Sequence, residues 1–269
     1  MENNTNGPLS IEDIMLKQPI SIAIADNNDV LVHVIKNIVA KNKNIELVHT
    51  SKNGYNFLNY CIHNLLPDVL IISYELDIID GIQTTTILKK LFPNVKVIMI
   101  SNFLTLQALT LSIKAGALGF KPRSIFIELD KSPEKGKIES RLINTIYKVN
   151  NGDYHISNLI LKDLPITPEL LQTRSLYAND DKIFKQTMEQ LNLTEKESII
   201  ILLYCTNLTK AQIADLIDIS VKTIDNHLTN IAKKIKSHST KEMVLQLYRL
   251  GIIKTASFNR VNELIIDNK

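Results

Sequence analysis

The chain has 269 residues, 45% of them apolar, enough for roughly two domains that each bury a core. Its formal net charge of +3 neither demands nor excludes a nucleic-acid partner. The longest apolar runs, such as Ser198 to Cys205, fall far below the ~20 residues that span a bilayer, and the polar first nineteen residues (with Glu2, Glu12 and Asp13) hold no signal-peptide core, so a soluble cytoplasmic chain without membrane contact is expected.

Residues 1–19 read as an N-terminal extension. Residues 20–25 (ISIAIA) lie between Pro19 and Asp26, and their length and Ile content predict a buried strand. Helical spacing follows over 29–41, with Val30, Val34 and Ile38 on one face. The alternation then repeats: strands at 45–49 (IELVH), 68–73 (DVLIIS), 95–100 (VKVIMI) and 117–121 (ALGFK), and helices at 54–66, 82–92, 104–115 and 137–150. Continuous apolar strands between helices imply a parallel sheet covered on both faces. A flavodoxin-like order, 2-1-3-4-5, is the natural α/β arrangement. Between the fifth strand and the last helix, Ile125, Ile127 and Leu129 alternate and suggest a short extra strand, followed by an exposed turn at Lys131, Ser132, Pro133 and Gly136. Cys61 and Cys205 fall inside apolar helical patterns and read as buried free thiols.

Gly152, Pro165, Pro168 and Asn179-Asp180-Asp181 break the rhythm, so 20–157 is one domain and 158–190 a linker. From 191 only helical spacing appears, near 194–206, 209–217, 220–236 and 240–250, giving an all-α four-helix domain over 191–252 and a tail over 253–269. Ser220 is a good N-cap. Ile224, Leu228, Ile231 and Ile235 then form one apolar stripe, while Lys222, Asp225, Asn226, Thr229, Asn230 and Lys233 face the other way. Two short helices with a tight turn, the second polar outward, are a helix-turn-helix able to enter a major groove. A helical hairpin that packs on another protein has the same pattern.

The wording LTEKESIIILL, IADLIDIS, KTIDNHLTNIAKKI and YRLGII, over residues 191–252, resembles the NarL/LuxR-type (GerE-like) DNA-binding domain. The resemblance implies DNA as partner and a homodimer. It places Asp225, Asn226 and Thr229 at base-reading positions, Lys222, Thr223 and Lys233 near phosphates, and Met243, Leu247 and Leu250 at dimer contacts. Asp225 departs from relatives with a basic residue there: a carboxylate can accept from cytosine N4 but cannot bind guanine O6 or N7.

Residues 20–157 resemble the receiver domain of response regulators, with PDVLIISYELDIIDGI as the phosphoacceptor strand and loop and LINTIYKVNNGDYHIS as the last helix and exit. In that family acidic oxygens hold Mg²⁺ and a strand-ending carboxylate accepts phosphate. This sequence departs at most of those positions. The acidic pair is Asp26-Asn27, the acceptor position holds Ser73, Ser101 keeps the hydroxyl, and the lysine position falls on Arg123 unless a two-residue skip brings in Lys121. A serine hydroxyl cannot form an acyl phosphate, and Arg is a poor substitute for a compact ammonium. Glu75, Asp77 and Asp80 lie in the following loop and could offer oxygens by chance.

The expectation is a non-enzymatic, sequence-specific DNA-binding transcription regulator, an atypical response regulator with a degenerate phosphorylation site, no cofactor and no metal. Three alternatives stand beside it: a receiver phosphorylated through a nearby acid, a small-ligand sensor, and a protein-binding antagonist without DNA contact. A signalling protein is a further candidate partner.

Overall fold

The computed structural model of the protein describes residues 18–127, 135–156, 186–206 and 208–250. Residues 1–17 of the expected 1–19 extension, Lys131, Ser132 and Pro133 of the expected turn, most of the 158–190 linker and the 253–269 tail lie outside the described residues, while Gly136, expected in that turn, falls instead within the helix over residues 135–150.

The first half is a parallel sheet of six strands: β1 (Ile20–Ala25), β2 (Ile45–Ser51), β3 (Val69–Ser73), β4 (Lys96–Ser101), β5 (Gly119–Pro122) and β6 (His155–Ile156). Their order, 2-1-3-4-5-6, is the expected one with a two-residue strand added beside β5. The strands carry apolar residues on both faces because both are covered. Ile22 and Ile24 of β1 pack with Leu31 and Ile35 of α1 (Asp29–Ala40) and Ile146 and Val149 of α6 (Lys135–Asn150). Ala23 and Ala25 of the same strand face Phe57 and Leu58 of α2 (Gly54–His63), Leu88 of α3 (Gly81–Leu91) and Leu109 of α4 (Leu106–Ala115).

Local chemistry sets the helix starts. Asn28, Asn53, Asp80 and Thr105 each accept a backbone N–H from the first turn that follows, which satisfies an otherwise orphan donor. Gly81 passes so close to β3 that a Cβ would sit 2.0 Å from the Ser73 carbonyl oxygen, so only glycine lets α3 start directly against the strand end. The region after β5 corrects one expectation. Residues 124–127 are a short helix, α5 (Ser124–Ile127), not a strand, and Leu129 lies outside the described residues. The residue buried there is Phe126, 1% exposed and packed in the same core as Leu31 and Leu142.

The second half holds α7 (Glu195–Tyr204), α8 (Lys210–Leu216), α9 (Val221–Lys234) and α10 (Thr240–Arg249). Thr194 with Glu197, and Thr209 with Gln212, close capping boxes at the starts of α7 and α8. Lys234 at the end of α9 reaches the largely buried Glu197 carboxylate at 2.7 Å, tying α9 to α7. Burial alone would raise the Glu197 carboxyl, but the Lys234 ammonium and the Thr194 bonds outweigh it and hold it below its ordinary value. The helical half rests on the α2–α3 side of the sheet domain, where Tyr55 Oη donates to Asp215 Oδ2 at 2.5 Å. Cys61 and Cys205 are buried and outside any disulfide, as expected. Among the described residues, no helix is long and apolar enough to cross a membrane.

Candidate functional site

Parallel strands all end on one side of a sheet, so residues just past their C-termini converge there. Asp26 follows β1, Ser73 ends β3, Ser101 ends β4 and Arg123 follows β5. The structure brings three of these side chains into one buried cluster. Arg123 Nη2 donates to Asp26 Oδ1 and Oδ2, each at 2.7 Å, and to Ser73 Oγ at 2.7 Å. The side chains of Arg123 and Asp26 are 8% and 1% exposed. Asp26 Oδ1 also accepts from the Asn28 backbone at 2.8 Å, and Ser73 Oγ donates to the Glu75 carbonyl at 3.3 Å. Ser101 joins only through its main chain: its carbonyl accepts from Arg123 N at 2.8 Å, while its hydroxyl accepts from Phe103 N. Asn27 is exposed and makes no side-chain hydrogen bond among the described residues. Arg123, not Lys121, is the residue whose side chain reaches Asp26 and Ser73.

Of the neighbouring acids, two are engaged in part: Glu75 keeps its Oε2 buried without a hydrogen-bond partner. Glu75 Oε1 accepts from Asn102 N at 3.0 Å, Asp80 caps α3, and Asp77 is exposed. A magnesium ion needs an octahedral set of oxygens and is held by carboxylates. Here one carboxylate stands at the strand ends, a guanidinium covers both its oxygens, and Ser73 replaces the second acid. This donor set does not fit the metal that the receiver family's chemistry uses: the pocket's positive charge is built into the chain.

The second site is the outer face of α9. Ser220 Oγ accepts from Thr223 N at 3.1 Å, and the tight turn before it places Asp218 at φ 52°. Ile224, Leu228, Ile231 and Ile235 are buried, as their spacing predicts. Lys222, Asp225, Asn226, Thr229 and Lys233 are exposed, and Thr223 is half-buried. Lys222, Asn226 and Lys233 have no side-chain partner among the described residues, so their donors are free to meet a ligand. Thr223 Oγ1 pairs with the Ser220 hydroxyl at 2.8 Å, and Thr229 Oγ1 donates to the Asp225 carbonyl at 2.8 Å. Asp225 is not a bare charge: Lys210 Nζ at the start of α8 donates to its Oδ1 at 2.5 Å. Lys210 was not legible as a site residue, because the pairing joins two helices and leaves no local spacing signal. On α10 the expectation of three dimer contacts is corrected in part. Met243 and Leu247 are each fully buried in the chain's own core, and Leu250, 46% exposed, is the one that faces outward.

A sheet domain with converging strand ends, followed by a helix-turn-helix with an open polar face, defines a two-domain regulator. The sequence matches the response regulator receiver domain over residues 22–125 and the bacterial regulatory proteins of the luxR family over residues 191–247. The chain is a response regulator with a luxR-family helix-turn-helix. It is 22% identical to the response regulator protein VraR of Staphylococcus saprophyticus over 236 residues, 88% of this chain and 100% of that protein. The VraR of Staphylococcus epidermidis is 21% identical over 87% of this chain and 99% of its own length. Among solved structures, the RcsB response regulator of Salmonella typhimurium aligns over 86% of this chain and 99% of its own with 17% identity and a TM-score of 0.45.

Proposed function

We propose that this response regulator is a sequence-specific, DNA-binding transcription regulator of the cytoplasm whose receiver works without phosphorylation. The observation that carries the reading is Arg123, whose guanidinium bonds both Asp26 oxygens and the Ser73 hydroxyl in a pocket sealed from water. A phosphoryl group entering there would have to displace a buried pair, and truncating one partner of such a pair costs about 3–5 kcal/mol. It would also find a hydroxyl with no base positioned beside it. The free donors of Lys222, Asn226 and Lys233 support DNA as the target of α9, with Asn226 suited to adenine N6 and N7. A homodimer on an inverted repeat, with half-site centres about one helical turn apart, completes the reading.

Two experiments test it. Acetyl phosphate with Mg²⁺ should leave the intact mass of the full-length chain unchanged, and a stoichiometric, hydroxylamine-labile gain of one phosphoryl group would overturn phosphate independence. A binding titration across salt concentrations, on a selected site and on scrambled DNA, tests α9. Lys222→Ala or Lys233→Ala should weaken both DNAs similarly and lower the salt slope by roughly one unit. If neither these nor Asn226→Ala changes binding, the helix pair is a protein-docking hairpin instead.

A further inference from the structure

The receiver pocket has its cation matched by an acid, but a second group of cations at the sheet edge does not. Lys121 lies on β5 and is only 5% exposed. Two residues earlier on the strand, Gly119 abuts Val149 of α6, with an added Cβ 3.2 Å from its Cγ2. The two-residue period of a strand puts Lys121 on that same face, beneath α6. Arg141 and Lys148, seven apart on α6, act electrostatically on Lys121, and Lys121 and Lys148 act on His155 of β6. Among the described residues, no carboxylate pairs with Lys121, Arg141 or Lys148, and Lys121 has no hydrogen-bond partner. Buried cations are ordinarily paired, because desolvating a lone charge is costly. Nor is Lys121 Nζ one of the fully enclosed polar atoms without a partner, so the ammonium keeps some exposure to solvent.

The hydrogen bonds fix the imidazole's role. Thr145 Oγ1 donates its proton to the Arg141 carbonyl at 2.6 Å and meets His155 Nδ1 at 2.8 Å. With its proton committed, the hydroxyl accepts there, so Nδ1 carries the imidazole proton and Nε2 is left as a bare acceptor. Burial, reinforced by Lys121 and Lys148, pushes His155 down to about 4, so the ring is neutral at physiological pH. The cluster thus offers three cationic donor groups and one acceptor. Its complement is an oxyanion that also carries a proton.

We propose that Lys121, Arg141, Lys148 and His155 form a binding site for hydrogenphosphate at the β5–β6 edge of the sheet, under α6. The P–O oxygens accept from the three cations and the remaining P–OH donates to His155 Nε2, a bond that sulfate cannot make. Burial, then Arg141 and Lys148, pushes the Lys121 ammonium down to about 8, so its charge is present at neutral pH and is lost above it.

The test is thermal unfolding of the full-length chain in inorganic phosphate, sulfate or chloride at matched ionic strength, since a ligand of the folded state raises Tm by mass action. Phosphate should give a saturable rise, sulfate a smaller one and chloride none. Affinity for hydrogenphosphate, corrected for the phosphate's own ionisation over the same range, should fall about tenfold between pH 7 and pH 9 as Lys121 deprotonates. The phosphate rise should vanish in Lys121→Met and weaken several-fold in Arg141→Ala, an exposed position whose loss leaves the core intact. It should survive in Lys222→Ala/Lys233→Ala, which removes the cations of the DNA-facing helix without touching this cluster. Equal rises in phosphate and chloride, a phosphate rise retained in both Lys121→Met and Arg141→Ala, or a rise lost only with Lys222 and Lys233 would each overturn the site.

Discussion

Two carboxylate–cation pairs in this chain have nearly the same length and opposite physical meaning. Arg123 meets Asp26 at 2.7 Å with side chains 8% and 1% exposed, and Lys210 meets Asp225 at 2.5 Å with side chains 44% and 50% exposed. In the receiver pocket the low dielectric makes the pair all-or-none: both partners present, or a lone charge trapped away from water. On α9, water and salt screen the pair, so it can open and close without threatening the fold. The receiver pocket thereby holds its polar groups in fixed structure. The helix face has kept its polar groups accessible.

The largest expected effect breaks the buried pair. Arg123→Ala leaves Asp26 unpaired at 1% exposure and should cost about 3–5 kcal/mol in a denaturant titration. Combining it with Asp26→Asn should recover much of that loss, because the trapped charge is gone. If Arg123→Ala alone unfolds the chain, the double variant still separates charge trapping from lost packing. Ser73→Asp sharpens the same point: with Asn27 still uncharged and Arg123 still on Asp26, it should not restore acetyl phosphate labelling.

Next comes base reading. Asn226→Ala should cost about 1–3 kcal/mol on the preferred DNA site and much less on scrambled DNA, because a paired amide contact to adenine is specific. Equal losses on both DNAs would mean that Asn226 touches backbone and that the buried and exposed regions differ in exposure alone, not in role.

Most of this architecture was legible because it rests on periodicity. The five main strands are apolar runs that both faces of the sheet bury, and Ser220 with the Ile224–Ile235 stripe set the start and the inner face of α9. What escaped was short or non-local. β6 is two residues long, too short to show alternation. Around α5, the eye follows Ile125 and Ile127, but the fold buries Phe126 between them, and its N–H bonds back to the Arg123 carbonyl at 3.0 Å in a helical turn. Met243 and Leu247 have the spacing of an interface, yet a small four-helix domain needs them for its own core. At the receiver site the residue types were readable position by position, but the capture of Asp26 by Arg123 joins residues 97 apart, and only the sheet topology shows it.

A smaller effect concerns acid stability. His155 has its folded-state value pushed from 6.5 down to about 4 by burial and by Lys121 and Lys148. Between those values the unfolded chain binds a proton that the folded chain does not, so this group's contribution to stability falls as pH drops from 6.5 toward 4. The thermal midpoint should decline over that window, and His155→Gln, which keeps a hydrogen-bonding group toward Thr145, should flatten the decline. An unchanged slope in the variant would assign the acid sensitivity to other groups.

The smallest expected effect opens the exposed pair. Lys210→Ala should change unfolding free energy by only ~0–1 kcal/mol, the range of solvent-screened ion pairs. Its consequence on DNA has a definite sign. Lys210 holds the Asp225 carboxylate and offsets its charge on the face that the proposed function turns toward phosphates. Without Lys210 the carboxylate repels the backbone, so affinity should fall on both selected and scrambled DNA. Asp225→Asn removes that repulsion and should restore scrambled-DNA binding in the Lys210→Ala background. If Asp225 also accepts from a cytosine N4, the same Asp225→Asn change should relax preference at one position of the selected site. A double-mutant cycle on the two residues separates these contributions: coupling in DNA binding with little coupling in stability is the expected outcome. A coupling above ~2 kcal/mol in stability would instead make the pair a structural element like Arg123–Asp26, and the contrast between the two regions would fail.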